Sequence, residues 1–465
     1  MKLLQAYDAT NVVVSRKPRS LRLRLLSDVQ SARGVVVRTM GVSLVTLPVQ
    51  AIAGGLTTYL CVRAVGVEAY ATVGLLLGLQ GFSGFLNLGT PAALSTAAGE
   101  ASVRGDDRLA RTFVTALRSV IPVSAIAVLV AIALAVTGAW PGILGSGRPD
   151  LLTAGAIVVV VGVALLQPMG LQQAVLMSCG RAGLAIVGST TGSVAALAGV
   201  AVAAGTGAPV LWFVVLPMLG QLAAMAVWSP AFSRIVGTST MGLIRAAIDR
   251  RYRGVRIRLQ STPALVIWIF LPLAYQTDRI VLGHLSTSAQ LASYNVACQV
   301  FTPVLGIVTV GSASLWGHYA MRRIEGSLPS QRAFAQASFA LGAAGMLLGI
   351  GYLVCMPYLS DIVTGNRVSV SSGLALAFAL FMIAQSFHQP SAMLQTDVAG
   401  LRFNAVAVVV MTVLNIVMSV ALARPLGASG PVLASTLSLT IALAIPSFVR
   451  GWRILGVQAS NVPVR

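Results

Sequence analysis

Long apolar stretches, separated by short polar or basic segments, run along the whole chain. A helix needs about 20 apolar residues to cross the hydrocarbon core of a bilayer. Twelve stretches reach that length, at about 35–62, 71–95, 117–139, 151–177, 182–204, 209–229, 262–285, 291–317, 334–358, 371–395, 403–423 and 429–449. The alternating ten-residue pattern of membrane β-barrels is absent from the sequence, and lipid tolerates only helices or closed barrels. The pattern predicts an all-α membrane protein with about 12 transmembrane helices, which we number spans 1 to 12.

Composition excludes a soluble protein. The chain has 465 residues, of which 56% are apolar and 9% charged, and its mean hydropathy is +0.86. An ordinary soluble domain carries about 25% charged residues. Residues 1–34 are basic and lack the apolar core of a cleavable signal, so we expect them to form a cytoplasmic leader that precedes a retained first helix.

The basic residues predict the orientation of the chain. Short cytoplasmic loops accumulate Lys and Arg. With the N-terminus inside, 26 of the 32 basic residues fall in inner segments, four in outer loops and two within spans. The prediction is a protein of the cytoplasmic (inner) membrane with both termini cytoplasmic, including a tail at 450–465. The net charge of +20 is thereby explained by topology and by attraction to anionic membrane lipids, without a nucleic-acid partner.

A longer polar segment at 230–261 separates six spans from six. Its apolar and basic residues alternate in the way that is typical of an amphipathic helix on the inner membrane surface. Similar residues recur on both sides of it at a nearly constant offset of 222 to 224 positions: Pro48 and Pro272, Tyr70 and Tyr294, Pro168 and Pro390, Pro209 and Pro431. We expect two six-helix halves, 35–229 and 262–449, related by a pseudo-twofold axis around a central cavity.

Ionisable residues within spans are the first candidates for function, because each costs about 3 kcal/mol at the centre of a helix. Asp278 and Arg279 form the one adjacent charged pair deep within a span, and the repeat offset places them opposite Gly54 and Gly55. They either face the cavity or tie span 7 to a neighbouring helix. Arg38 lies a few residues into span 1, where it either faces the cavity or snorkels to the interface.

Uncharged amides form a second candidate set. They occur in spans 1, 2, 4, 8 and 10, and the candidates for lining the cavity are Gln50, Gln80, Asn87, Gln172, Asn295, Gln299 and Gln389. Many such amides in membrane proteins only form hydrogen bonds between helices. As a set they favour a polar cavity between the halves.

Motifs for catalysis are absent from the sequence. It contains no phosphate-binding GxxxxGK[ST] loop, no HExxH zinc motif and no nucleophile elbow with partners. The four cysteines fall in or beside apolar stretches without metal-ligand spacing, so we expect buried thiols, no disulfide, no metal and no cofactor. The three histidines are scattered. The protein is therefore predicted not to be an enzyme, and transport would need an ion gradient, a substrate gradient or a partner's work.

Short motifs resemble those of the Wzx-type oligosaccharide flippases of the multidrug/oligosaccharidyl-lipid/polysaccharide exporter (MOP) superfamily. The segment at 64–70, Ala-Val-Gly-Val-Glu-Ala-Tyr, and the following Phe85-Leu-Asn-Leu-Gly89 are similar to the family's entry to span 2. Asp278-Arg-Ile-Val-Leu-Gly283, with Tyr294 after it, resembles the joint of spans 7 and 8. The segment 424–436 resembles the entry to span 12. Ala71 and Asn87 depart from the family's Gly and Asp, which weakens an ion-coupling role for span 2.

The resemblance implies export of an undecaprenyl-pyrophosphate-linked oligosaccharide from the inner to the outer leaflet by alternating access. Arg279 and Arg38 would then meet the anionic head, with Asp278 orienting Arg279, while the amides would meet sugar hydroxyls. Coupling to a proton or a sodium ion at Asp278 stays open. So do two other classes, an ion-coupled multidrug antiporter of the same superfamily and, with less support because the outer loops are short, a membrane glycan polymerase or ligase.

Overall fold

The computed structural model describes residues 32–104, 107–145, 147–249, 255, 258–324 and 328–460. The predicted leader up to residue 31 and the end of the tail at 461–465 lie outside the described residues. The described side chains begin at residue 41, so the prediction for Arg38 also lies outside them.

Helices make up both halves of the chain. Those of the first half are α1 Ala32–Gly78, α2 Ser83–Asn87, α3 Thr90–Arg104, α4 Arg108–Val136, α5 Trp140–Leu144, α6 Pro149–Ser178, α7 Ala182–Thr206 and α8 Trp212–Val236. The connecting helix is α9 Thr240–Ile248. Those of the second half are α10 Arg258–Leu285, α11 Ser288–Ile324, α12 Gln331–Thr364, α13 Ser372–Leu394, α14 Val398–Leu426, α15 Ser429–Ser438 and α16 Ile445–Ser460, with a π-helical turn at Leu439–Ala444 between the last two.

Ten helical segments of the described chain are long and apolar enough to cross a membrane. One of them, Gly41–Asn87, contains both span 1 and most of span 2. The one predicted span without a counterpart among these ten is span 10, which corresponds to α13, and the second half of α13 carries polar side chains. Large apolar side chains such as Leu165 and Ile362 are exposed on the outer faces of the bundle, where lipid would contact them. The protein is an all-α membrane protein with about 12 transmembrane helices in two halves.

Span 2 differs from its prediction. The φ of Gly66 is +84°, and this single residue, rather than a loop, separates spans 1 and 2 within α1. Span 2 then continues through a short 3₁₀ turn at Leu79–Phe82 and α2, and it ends where Leu88 and Gly89 adopt positive φ. The predicted continuous span 71–95 is therefore wrong in its last part, because α3 starts a new helix at Thr90.

The same pairs of helices pack together in both halves of the chain. Spans 1 and 5 pack together as α1 and α7, and their equivalents, spans 7 and 11, pack as α10 and α14. Spans 3 and 4 (α4 and α6) correspond in the same way to spans 9 and 10 (α12 and α13), and spans 5 and 6 to spans 11 and 12. The halves meet where α1 packs on α11 and where α2 packs on α10. This repetition confirms the 6+6 architecture.

Successive spans alternate in direction, so their connections gather at two ends, which we call the basic end and the distal end. At the distal end, Arg367 donates hydrogen bonds to the carbonyls of Val62 and Arg63, at 3.3 and 3.4 Å, and ties the two halves together. His284 likewise lies 3.1 Å from the carbonyl of Gly142 in the other half. The two halves are therefore joined at the distal end.

The predicted amphipathic helix in the 230–261 segment is α9, at the basic end. It buries Leu243 and Ala247 against the first half and exposes Met241 and Ile248. Ser239 caps its N-terminus, and the guanidinium of Arg118 donates to three carbonyls at its C-terminus. The linker helix is thus fastened to the first half.

The four cysteine thiols differ in how deeply they are buried. Cys61 is buried and Cys179 and Cys298 are half-buried, whereas Cys355 is exposed on the outer face of α12. The expectation of buried thiols is wrong for Cys355, because an apolar span exposes one face to lipid and a thiol is tolerated there.

Orientation can be tested by labelling single cysteines in a background without the four native ones. Arg245 and Arg148 are both exposed, at the basic and distal ends respectively. We expect Arg148→Cys to react with an impermeant maleimide in intact cells and Arg245→Cys to react only after the membrane is broken. Reaction of Arg245→Cys in intact cells would contradict a cytoplasmic basic end.

Candidate functional site

A cavity of about 340 Å³ lies where the first half meets the second. Its walls come from both arms of α1 and from α7 and α8 on one side, and from α10 and α11 on the other. The lining is mixed, since Tyr70, Gln221 and Ser193 stand beside apolar residues such as Phe213. Arg279 is the one Asp, Glu, Lys or Arg among the described lining residues.

Arg279 is held in the cavity wall by groups that leave part of its guanidinium uncommitted. Its Nε donates to Oδ1 of Asn295 at 3.1 Å, and its Nη1 donates to Oε1 of Gln276. The guanidinium carbon lies 5.5 Å from the ring centroid of Tyr294, a cation–π contact. A guanidinium has five N–H donors, so three remain for a bound group among the described contacts.

Glycines of α1 and the turn that follows it make room for the polar side chains of the second half. A methyl group built on any of four of these glycines would collide with the side chain opposite. The pairs are Gly54 with Gln299, Gly74 with Asn295, Gly78 with Arg279 and Gly81 with Gln276. The repeat offset predicted that Gly54 and Gly55 would face Asp278 and Arg279. The glycine that faces Arg279 is Gly78, because span 7 packs on span 2 rather than on span 1.

Asp278 points away from the cavity into the core of the second half. It is 3% exposed, and its carboxylate accepts hydrogen bonds from Ser435 Oγ at 3.0 Å, Ser419 Oγ at 3.2 Å and the Tyr294 hydroxyl at 3.5 Å. The Asn415 amide hydrogen-bonds to Ser435 Oγ at 2.7 Å. Spans 7, 8, 11 and 12 thus enclose one carboxylate with a shell of hydroxyls.

The expected orientation of Arg279 by Asp278 is not what the structure shows. Adjacent residues of a helix project about 100° apart, and these two side chains lie on opposite sides of the wall. Ion pairs of the described chain include those of Asp107 with Arg111 and of Arg323 with Asp397, whereas Asp278 and Arg279, both described, form none with each other. Tyr294 connects them instead, since its ring lies under the guanidinium and its hydroxyl reaches the carboxylate.

The predicted amides divide into two groups. Asn295 and Gln299 line the cavity. The others do not line it. Three of them form hydrogen bonds between helices: Gln50 with Thr190, Gln172 with Thr240 and Ser229, and Gln389 with Ser312. Gln80 and Asn87 lie in the broken part of span 2 and are half-buried.

Several residues of the site were not among the sequence candidates. Gln276, Ser419, Ser435 and Asn415 are residue types common in spans, and nothing local distinguishes them, whereas Tyr294 was noted as a repeat and motif position but not as a site residue. The spacing of Asn415 and Ser419, four residues apart on one helix face, is the one signal that could have indicated a partner for a buried acid.

Three solved structures with the same architecture are distant from this chain in sequence. An inward-facing multidrug resistance MATE family transporter of the MOP superfamily matches with a TM-score of 0.62 and 15% identity, over 90% of this chain and 99% of that one. The lipid II flippase MurJ in an inward closed conformation matches with a TM-score of 0.61 and 12% identity, over 91% and 93%. A MOP superfamily transporter from Pyrococcus furiosus, described as having a binding pocket of reverse polarity, matches with a TM-score of 0.60 and 15% identity, over 94% and 98%.

The chain has the fold of the MOP superfamily transporters. At these identities the likeness concerns the fold. No family model matches the sequence, and no curated protein matches it. The Wzx-type subfamily indicated by the sequence motifs is therefore not established by the comparisons.

The fit between Gly78 and Arg279 gives a test of the site's geometry. A methyl group on Gly78 would lie 2.7 Å from Cδ of Arg279, which forces the side chain or the helices apart at a cost of about 1–3 kcal/mol. We expect Gly78→Ala to lower the melting temperature of the purified protein by several degrees. Gly170→Ala is the control, because no atom lies within 4 Å of its methyl group. Equal melting temperatures of the two variants would refute the packing described here.

Proposed function

We propose that this protein is a flippase that moves an anionic, lipid-linked oligosaccharide precursor across the cytoplasmic membrane by alternating access, in the synthesis of a surface polysaccharide. The observation that carries the proposal is the charge of the cavity. Its described lining contains one fixed cation, Arg279, and no acid. Such a cavity favours an anion and disfavours a cationic drug.

The held guanidinium is suited to a phosphate group. Arginine presents its N–H donors in a planar fork that matches two phosphate oxygens. Asn295 and Gln276 fix the plane of Arg279 from one side, so that the free donors need little further ordering to bind. The charge–phosphate attraction is also strong here, because the surrounding protein and lipid have a low dielectric constant.

Sugar hydroxyls would meet the neutral polar groups of the same cavity. Gln299, Gln221, Thr57 and Ser193 line it, and amides and hydroxyls both donate and accept hydrogen bonds. A volume of about 340 Å³ is at the lower end of the usual range for ligand pockets, about 300–1,000 Å³. The cavity would hold the head of such a lipid while the polyprenyl chain stays in the bilayer. The motif resemblance favours undecaprenyl pyrophosphate as the carrier.

Alternating access is supported by the way the halves meet. The contacts of Arg367 and His284 join them at the distal end. A closed distal end and a cavity between two similar halves are the arrangement expected when rocking of the halves exposes the cavity to one side at a time.

We propose further that Asp278 couples transport to a proton. Ser419, Ser435 and Tyr294 all donate hydrogen bonds to its oxygens, so the shell stabilises the ionised carboxylate in a site from which the charge would otherwise be expelled. Taking up a proton removes the charge and alters the hydrogen bonds that join spans 7, 8, 11 and 12. A sodium ion is the alternative ligand of this shell, because hydroxyl oxygens also carry lone pairs that bind cations, and the dependence of export on pH or on sodium separates the two.

A multidrug antiporter is the second candidate. It is favoured by the likeness to MATE transporters and by the buried acid itself. Asp278, however, faces away from the cavity, so it cannot bind a cationic drug there directly. A glycan polymerase or ligase finds no support among the structural neighbours, which are transporters.

The role of Arg279 is testable in a strain that lacks the gene. Arg279→Ala should abolish surface glycan and leave lipid-linked repeat units in the inner leaflet, while Arg279→Lys should restore only part of the activity because it lacks the fork. Glycan is measured per amount of membrane-inserted protein. Arg424→Gln, which removes an exposed arginine, is the control and should behave as wild type.

Two results would contradict the flippase assignment. One is full glycan export by Arg279→Ala at normal protein levels. The other is a deletion strain with normal surface glycan and new sensitivity to cationic dyes, which would establish the antiporter.

The role of Asp278 predicts a separate loss. Asp278→Asn keeps the size and most hydrogen bonds of the side chain, but its amide cannot take up and release a proton. Export should therefore stop depending on the pH gradient. The export rate should also fall at least about tenfold, which corresponds to the loss of the driving force of a gradient of one pH unit. Asp361→Asn, on the exposed face of α12, is the matched control. An export rate that follows sodium rather than pH would refute proton coupling.

A further inference from the structure

Buried polar side chains continue through the second half from Asp278 toward the basic end. His388, Ser391 and Gln395 follow one another at spacings of three and four residues, so they lie along one face of α13 and its C-terminal cap. Their exposed fractions are 8%, 0% and 1%. Polar groups so deeply buried are rare without a role, because each loses its hydration.

Each of these three side chains has an atom without a partner. Among the described residues, Nδ1 of His388, Oγ of Ser391 and Oε1 of Gln395 are buried and form no hydrogen bond. More than nine-tenths of buried polar groups are normally satisfied. Six such atoms occur among the described residues, and three of them lie together on one face of α13; this clustering indicates a path for a small polar species.

The position of the path follows from its hydrogen bonds. At the basic end, Gln395 Nε2 donates to the carbonyl of Ser447 at 2.7 Å, and Ser447 Oγ donates to Asn404 Oδ1 at 3.3 Å. His388, seven residues before Gln395, lies about 10 Å further from the basic end. Because spans 10 and 12 run parallel, the residues of span 12 at the same level lie about seven positions before Ser447. This level is that of the π-helical turn at Leu439–Ala444, which packs against α13.

Asp278 lies next along the same direction. Its carboxylate accepts a hydrogen bond from Ser435 of span 12. Ser435 lies about five residues before the part of span 12 that is level with His388, which is about 7 Å along the helix axis. One or two water molecules span such a gap when polar atoms are available to hold them. Buried side chains between these levels include the polar Ser438 and Thr412 as well as the apolar Met411.

The other titratable groups on the packed elements do not replace His388. On α10 they are Asp278 itself, Tyr275, whose hydroxyl accepts from Gln385, Arg279 in the cavity wall and His284 at the distal end. On α11, which also packs on α13, Tyr294 contacts Arg279, Cys298 lines the cavity, Tyr319 is buried, and Arg323 donates to the carbonyl of Leu394 at the basic end. On α12, Tyr352 donates to the carbonyl of Ala297 and Asp361 is exposed. The arginines of α14 and α16 lie near the ends, with Arg402 and Arg453 exposed and Arg450 over the ring of Phe403.

We propose that His388, Ser391 and Gln395 form a proton path that leads from the basic end to Asp278 and is separate from the substrate cavity. A proton arriving along Gln395 and Ser391 binds one ring nitrogen of His388. The other ring nitrogen releases its proton through water to the carboxylate of Asp278, which becomes the neutral acid; the reverse steps return the proton. The proposal rests on the proton role of Asp278 and makes no use of the substrate's identity.

The first experiment measures whether water reaches the path. Ser391→Cys and Ser386→Cys are compared in full-length protein without the native cysteines, using N-ethylmaleimide on membrane vesicles. Both serines are 0% exposed on the same helix, but Ser386 faces α12 and donates to the carbonyl of Met382. A thiol reacts as its thiolate, which needs water, so Ser391→Cys should react about tenfold faster. Equal rates would overturn the proposal.

The second experiment follows the proton. Dicyclohexylcarbodiimide modifies protonated carboxyls in apolar surroundings, and Asp278→Asn shows which label belongs to this residue. In sealed vesicles with different buffers on the two sides, labelling of the wild type should follow the pH at the basic end. His388→Leu should lose that dependence, and so should His388→Gln, which keeps the polarity without a titratable ring.

Each outcome of the second experiment is decisive. Labelling that follows the pH at the distal end, or that keeps its dependence in an inserted His388→Gln protein, overturns the path. Neither experiment involves glycan transport. Failure of the path would thus leave the flippase proposal standing, and failure of the flippase proposal would leave these labelling results interpretable.

Discussion

A charge inside a membrane is stable only where polar groups replace its water, and the arrangement of the second half follows from that requirement. The chain places an acid and a base side by side in span 7 and then solvates them separately. Hydroxyls from spans 8, 11 and 12 surround Asp278. Amides from spans 7 and 8 and an aromatic face hold Arg279. A direct ion pair would have neutralised both and left the cavity without a fixed charge.

The two halves contribute different kinds of residue to the cavity. The first half supplies small residues, above all the glycines of α1 and the turn after it, whose lack of a side chain lets the other half approach closely. The second half supplies the polar side chains that fill the space. The two halves repeat in their packing, but they differ in chemistry, and the cavity forms where the small surface of one meets the polar surface of the other.

The architecture was predictable from the sequence because it depends on the length and periodicity of apolar segments, which are properties of many residues at once. The cavity position of Arg279, Asn295 and Gln299 was predictable for a similar reason, since few polar residues occur within spans. The partner of Asp278 was not. Whether Gln50 or Gln172 faces a cavity or another helix depends on rotations of about 100° per residue and on contacts more than 60 residues away. The break at Leu88 was missed because an isolated glycine in an apolar stretch is common in spans.

Tyr294 has a consequence for regulation, because one side chain touches both the guanidinium of Arg279 and the carboxylate of Asp278. An anion that draws the guanidinium of Arg279 away from the Tyr294 ring changes the surroundings of the Tyr294 hydroxyl. A proton that neutralises the carboxylate of Asp278 changes the hydrogen bonding of the same hydroxyl and so the position of the ring. Thermodynamic linkage makes such an influence reciprocal: the factor by which a proton alters the affinity for the anion equals the factor by which the anion alters the affinity for the proton. Two ligands that never touch each other would in this way be coupled through the side chain of Tyr294.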